Sequence, residues 1–168
     1  MATWTEFAAE APELAELGEK RLAASGLMML GTLRKDGFPR ISPAEPAMAE
    51  DRLVLDDDKL WLGMMPGSTK SNDLKREGRF ALHTATTDKM VTEGDVKFWG
   101  IATEVTDHDV LSRFSDAIFV SVGHRFEVGE FDAFYLDLLG ASSVRVKDDI
   151  LYVHIWEPGK GVRVVEKH

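Results

Sequence analysis

Strand-length apolar segments separated by short turns run through most of this chain. The clearest turn is Lys35-Asp36-Gly37, where the Asp-Gly pair favours a hairpin between strands predicted at Leu27–Arg34 and Phe38–Ala47. Prolines at positions 39, 43 and 46 cannot donate backbone hydrogen bonds, so the second strand is expected at a sheet edge or at a bulge. This organisation predicts antiparallel hairpins rather than alternating βαβ units.

The rest of the chain continues this pattern, with helices at the start, in the middle and at one crossover. Further strands are predicted at Arg52–Leu55, Lys59–Met65, Arg79–Thr84, Val96–Thr106, Phe131–Val146, Ile150–Trp156 and Val162–Val165, with an acidic turn at Asp56-Asp57-Asp58. Helices are predicted at Thr5–Ala24, capped by Thr5, broken at Pro12 and ended by Gly26, and at Ser71–Arg76 and Asp107–Val122. We expect a mainly β (α+β) protein whose sheet closes into a barrel, because closure removes exposed strand edges. Residues 1–26 then form an N-terminal helical extension to a single domain over residues 27–168.

Charge and composition exclude several classes of function. The chain of 168 residues carries a formal net charge of −9, which disfavours binding to nucleic acid or to an anionic membrane. It contains no cysteine, so thiolate chemistry and disulfides are absent. The five histidines lack the spacing of a metal site, and no metal is expected. The acidic N-terminal residues do not resemble a signal peptide, and a cytoplasmic protein is expected.

The segment Gly67-Ser68-Thr69-Lys70-Ser71-Asn72 is the sharpest candidate site. It precedes a short helix, and it combines hydroxyls, backbone amides and an ammonium group, which together suit a phosphate. A plain capping turn with Lys70 in solvent is the alternative interpretation, and the spacing of a P-loop is absent. Arg40 and Ser42 alternate on the second predicted strand, so they point to one face, either as an exposed edge pair or as a second arm of the anion site.

In their order along the chain, several segments resemble the pyridoxamine 5′-phosphate oxidase-related, FMN-binding split-barrel superfamily. These segments are the first hairpin Gly31–Arg40 with its T-x-R-x-D-G-x-P pattern, Leu60–Met65, Ser68–Leu74 with its likeness to S-x-K-x-x-N-L, Arg79–Leu82, and Val96–Ala102. The resemblance implies a six-stranded antiparallel split β-barrel of Greek-key type with flanking helices. It also implies a homodimer with two cofactor sites at the subunit interface.

The resemblance further implies which residues bind FMN. Arg40 and Ser42 would approach the phosphate from the second strand, and Ser68, Thr69 and Lys70 would bind it from the loop. Ile41, between the two strand residues, would also belong to the cofactor site. The backbone around Gly63, Met64 and Met65 would line the isoalloxazine ring, and the two methionine side chains also suit such a lining. The expected activity is a flavin-dependent oxidoreductase that transfers hydride to or from a small molecule, with no catalytic acid or base singled out.

Three departures from the family pattern keep alternatives open. Glu45 and Asp95 stand where pyridoxamine-phosphate oxidases tend to have a basic residue and a glutamine, and their C-terminal arginine segment has no counterpart. Oxidation of pyridoxamine phosphate itself is therefore not expected. The alternatives are a reductase that uses the 8-hydroxy-5-deazaflavin coenzyme, a flavin-binding protein without turnover, a haem-binding split barrel that uses a histidine ligand, and a barrel without a cofactor.

Overall fold

The computed structural model describes residues 1–46, 48–49, 52–53, 55–56, 59–86 and 88–168. The four helices are α1 (Trp4–Glu10), α2 (Pro12–Ser25), α3 (Thr69–Arg76) and α4 (His108–Val122). The strands are β1 (Met28–Leu33), β2 (Pro39–Ala44), β3 (Met48–Ala49), β4 (Arg52–Leu53), β5 (Leu55–Asp56), β6 (Lys59–Met64), β7 (Arg79–Thr84), β8 (Asp95–Val105), β9 (Asp132–Lys147), β10 (Ile150–Glu157) and β11 (Gly161–Lys167). Asp57 and Asp58 of the predicted acidic turn lie outside the described residues.

The predicted N-terminal helix is two helices, as the proline indicates. Pro12 has no backbone N–H to continue α1, and it occupies the first turn of α2, where no such donor is needed. Gly26 ends α2 in the left-handed conformation, at φ +68°. The predicted cap at Thr5 is wrong: Thr3 caps α1 through a reciprocal pair of hydrogen bonds with Glu6.

Six strands form the barrel, in the order β6-β9-β8-β7-β1-β2. An isolated antiparallel bridge between Pro46 and Leu62 joins the chain just after β2 to β6 and closes the ring. Within the described ranges, β2 otherwise pairs only with β1, so its prolines lie on an edge strand, as predicted. The predicted split barrel is confirmed, although the described part of the chain has eight long strands rather than six, because β10 and β11 extend the sheet.

The long strand β9 explains this extension. Its first half pairs with β6, its second half pairs with β10, and β8 runs beside both halves. β8 bends at a bulge between Trp99 and Gly100, where the strand passes very close to β9. β9 thus belongs both to the barrel and to the outer sheet.

The core lies inside the barrel and beneath α1 and α2. Trp4, Phe7, Phe98 and Trp156 meet there edge to face, with ring centroids 4.8–5.6 Å apart. Glu10 accepts a hydrogen bond from the indole N–H of Trp156 at 2.9 Å, which satisfies that buried donor. The N-terminal helices therefore contribute directly to the barrel core.

A second apolar cluster lies between α4 and the outer face of β6 and β9. Trp61 stacks on Phe114 with ring centroids 4.6 Å apart, and Phe131 and Ala133 complete the contact. In the part of the chain that the structure describes, no helix has both the length and the apolar character needed to cross a bilayer.

Candidate functional site

The N-terminus of α3 lies at one end of the barrel, directly after β6. Ser68 caps this helix by accepting a hydrogen bond from the Ser71 backbone, and α3 begins at Thr69, two residues before the predicted start. The Asn72 side chain donates to the Gly67 carbonyl at 2.9 Å and closes the loop over the first turn. Thr69 and Lys70 thus occupy the first helical positions, where backbone N–H groups have no partner within the helix and the helix dipole favours an anion.

Asp132, the first residue of β9, holds this loop in place. Its carboxylate accepts hydrogen bonds from the Gly67 N–H at 3.0 Å, from the Ser71 hydroxyl and from the Lys75 ammonium at 2.9 Å. Burial by itself raises the pKa of Asp132, but these hydrogen bonds outweigh it and hold the pKa below its ordinary value. Lys75 also pairs with Glu104 at 2.9 Å. Sequence reasoning missed Asp132, and the only local signal was an acid at a strand start.

Arg40 and Ser42 share one face of β2, as predicted. They stand opposite Thr32 and Leu30 of β1, whose side chains are buried, and both are partly exposed. Ile41 points to the other face and is 72% exposed. Arg40 and Ser42 therefore belong to the barrel side of β2, whereas Ile41 belongs to its outer surface.

Arg40 reaches α3 through a buried aspartate that sequence reasoning did not single out. Its Nε donates to Oδ2 of Asp73 at 2.7 Å, and that carboxylate also accepts from the Thr32 hydroxyl at 3.0 Å and from Arg76 at 3.2 Å. Burial raises the pKa of Asp73, but the hydrogen bonds from Arg40, Thr32 and Arg76 outweigh burial and lower it. Asp73 occupies the asparagine position of the S-x-K-x-x-N-L pattern, which was the available signal.

Lys70 makes the reverse connection, from α3 to β2. Its ammonium donates to the Pro43 carbonyl at 2.7 Å. One cation from the strand and one from the helix thus bridge the same two elements, beside the N-terminus of α3. Of the predicted phosphate residues, Arg40 and Lys70 thus connect β2 and α3, Ser42 lies on the same face of β2 as Arg40, and Ser68 and Thr69 lie at the start of the helix.

The three residues predicted to line a flavin ring have different surroundings. Met65 is 78% exposed, whereas Met64 is buried in the barrel core. A side chain at Gly63 would meet the Phe114 ring at 3.0 Å, so α4 covers that glycine. Of these three residues, Met65 is therefore the one with a side chain exposed beside the loop that begins at Pro66.

His83, His124 and His154 make their contacts with other parts of the protein than this junction. The His83 ring is hydrogen-bonded through Nδ1 to the Thr84 carbonyl at 2.7 Å, and His124 packs edge-on against Phe126. His154 lines a cleft of about 300 Å³ between α2 and the outer sheet. Among the residues described, no group of three or more His, Asp or Glu side chains is arranged to hold a metal ion.

The donor set at the junction of β2 and α3 fits a phosphate ester. It offers a guanidinium and an ammonium, together with hydroxyls and the positive end of a helix. The fold and this site define a class of protein: a split β-barrel with a helix N-terminus beside an edge strand that carries an arginine.

The family follows from the sequence. Residues 14–137 match the family model of pyridoxamine 5'-phosphate oxidase, and the chain belongs to this family. A comparison with curated protein sequences finds no match.

Solved structures share the fold at low sequence identity. A protein related to general stress protein 26, of the pyridoxinephosphate oxidase family, from Clostridium acetobutylicum is 16% identical with a TM-score of 0.59, covering 90% of this chain and 94% of its own. An FMN-binding, pyridoxamine 5'-phosphate oxidase-related protein from Nostoc punctiforme is 10% identical with a TM-score of 0.59, covering 96% of each chain. A heme-binding protein from Mycobacterium smegmatis is 15% identical with a TM-score of 0.56, covering 90% of this chain and 57% of its own.

Proposed function

We propose that this protein binds FMN through its phosphate at the junction of β2 and α3. The observation that supports this most is the pair of cations that bridge the two elements, Arg40 to Asp73 and Lys70 to the Pro43 carbonyl. A phosphate between them would receive charge-assisted hydrogen bonds, and Ser68 and Thr69 would add donors from the helix N-terminus. The net charge of −9 repels anions overall, so a local cluster of cations is needed.

The proposed activity is hydride transfer between a reduced flavin and a small molecule. A bound flavin supplies the redox chemistry, and the protein positions it and limits its contact with water. Arg40 and Lys70 fix the phosphate end in this proposal, and Met65 offers a soft apolar side chain toward the ring. The deazaflavin coenzyme, which also carries a phosphate group, is the alternative cofactor for the same residues.

A homodimer is part of the proposal. Met29, Phe38 and Ile41 on the β1–β2 hairpin are exposed by 40%, 68% and 72%, and large exposed apolar groups typically mark an interaction surface. Sedimentation equilibrium measures the mass directly, and a monomer at micromolar concentration would contradict this part.

Titration of the purified protein with FMN, and in parallel with the deazaflavin coenzyme, tests the binding site. Flavin fluorescence should change saturably at micromolar concentration or below. A Soret band on addition of haem, with no flavin binding, would replace this function with that of a haem-binding protein. Flavin binding without oxidation of the reduced flavin by any acceptor except oxygen would leave a flavin carrier without turnover.

The substitution Lys70→Ala tests the phosphate contact itself. A hydrogen bond to a charged group contributes about 1.5–3 kcal/mol, so the FMN dissociation constant should rise about tenfold to a hundredfold. Riboflavin, which lacks the phosphate, should bind the variant and the native protein equally. Lys147→Ala is the control, because it removes the same charge from an exposed position at the opposite end of β9 from Asp132.

A further inference from the structure

We infer that Asp73 limits the strength of the proposed phosphate site by offsetting the charge of Arg40, so that a phosphate ester is held reversibly and exchanges with solvent. This inference rests on the proposed function, since it concerns the same site. Asp73 would then set the affinity of the site for the phosphate. That affinity decides whether a flavin stays permanently bound or exchanges with flavin in solution.

The geometry places a negative charge directly behind the cation that would contact the phosphate. The Asp73 side chain is 5% exposed, and its Oδ2 lies 2.7 Å from Arg40 Nε. Among the residues that the structure describes, Arg40 makes its hydrogen bond through Nε alone, which leaves both Nη nitrogens for a ligand. A phosphate bound to the Nη nitrogens would lie on one side of the guanidinium, and the Asp73 carboxylate lies on the Nε side. The two negative charges would then be only a few ångströms apart.

Salt screens charges at such a separation only weakly. The Debye length is about 8 Å at physiological ionic strength, and a buried carboxylate is screened less than an exposed one. The hydrogen bonds from Arg40, Thr32 and Arg76 keep the pKa of Asp73 low, so the carboxylate is charged at neutral pH. Asp73 therefore repels a phosphate dianion while it orients Arg40.

These two roles of Asp73 predict opposite results for the same substitution. Asparagine keeps an oxygen that accepts from Arg40 and from Thr32, so Asp73→Asn removes the charge and retains the orientation of the guanidinium. If offsetting charge dominates, FMN binds more tightly to the variant. If Asp73 acts only as a clamp for Arg40, binding is weaker or unchanged.

The experiment measures FMN and riboflavin affinities by fluorescence titration of the native protein and of Asp73→Asn, at low and at high salt. We expect FMN to bind about tenfold more tightly to Asp73→Asn, with a steeper dependence on salt and no change for riboflavin. Asp137→Asn is the matched control, because Asp137 is a carboxylate that is 21% exposed and is likewise paired with a cation, Lys59 at 3.2 Å, at the end of β6 remote from the loop. FMN affinity that is unchanged or weaker in Asp73→Asn, or equally raised in Asp137→Asn, overturns the inference.

A second ligand separates this inference from the proposed function. If the native protein binds no FMN, the proposed function fails, and the melting temperature is then measured in increasing inorganic phosphate. A larger stabilisation of Asp73→Asn than of the native protein supports the inference, and an equal or smaller one overturns it. Should Asp73→Asn fail to fold, Asp73→Gln replaces it, because its amide oxygen also accepts a hydrogen bond from Arg40 without carrying a charge, and the same direction is expected.

Discussion

Replacing Asp132 by alanine tests the contact that fixes the N-terminus of α3 to β9. The native carboxylate is 13% exposed and accepts hydrogen bonds from the Gly67 amide, the Ser71 hydroxyl and the Lys75 ammonium. In the variant these three donors lose their common partner. The free energy of unfolding should fall by an amount that depends on how well water can replace the carboxylate as the acceptor for each donor.

The magnitude follows from the burial of each donor. Ser71 is fully buried, and an unsatisfied buried hydroxyl costs about 1–3 kcal/mol. Lys75 is one-third exposed and keeps its ion pair with Glu104, so the loss of its ion pair with Asp132 costs about 0–1 kcal/mol. The exposed Gly67 amide forms a hydrogen bond with water instead and adds little to the loss. We expect a loss of about 2–3 kcal/mol, which lowers the melting temperature of a chain of this size by about 4–12 °C.

The pH dependence gives the prediction a second measurement. The pKa of Asp132 is lower in the folded protein than its ordinary value near 4, so its contribution is complete above about pH 4. That contribution disappears as the pH falls through the lowered folded pKa. The difference in stability between the native protein and Asp132→Ala should therefore be constant from pH 8 to pH 5 and shrink below pH 4.

Urea denaturation followed by circular dichroism, at a series of pH values, measures both quantities. Asp132→Asn keeps one acceptor oxygen and should lose about half as much stability as the alanine variant. A loss below about 1 kcal/mol, or a difference that persists unchanged at pH 3, would refute this account of the loop.

Two further substitutions test the barrel itself. Gly100→Ala would place a Cβ atom in overlap with the backbone carbonyl oxygen of Asp137, which cannot move aside, so we expect a loss of more than about 3 kcal/mol in the free energy of unfolding, or no soluble protein. Gly159→Ala is the control: that turn position has open space around it, so the added Cβ costs only the strain of a positive φ. A native-like melting temperature for Gly100→Ala would show that β8 and β9 pass at a greater distance. Glu10→Ala removes the acceptor for the Trp156 indole at 2.9 Å and for the Gly159 amide at 3.1 Å, so stability should fall by about 1–2 kcal/mol and tryptophan fluorescence should change. Unchanged unfolding and fluorescence would mean that the contact between α1 and β10 contributes nothing.

Some features are determined by the sequence alone, because they depend on neighbouring residues. The Asp36-Gly37 turn, the break at Pro12 and the end of α2 at Gly26 were predicted in place, since turn and cap chemistry acts over three or four residues. Arg40 and Ser42 were predicted on one face for the same reason, because strand side chains alternate with a period of two. The strand Arg79–Thr84 was predicted with its observed bounds.

The tertiary structure alone decided which residues, far apart in the sequence, form hydrogen bonds and packing contacts at the site. Asp132 is 61 residues from Ser71, and Arg40 is 33 residues from Asp73, so no local pattern connects either pair. Phe114 covers Gly63 only because α4 packs on β6. Such contacts depend on which faces meet when the barrel closes, and that choice is made by the burial of the whole core rather than by the backbone preference of any segment.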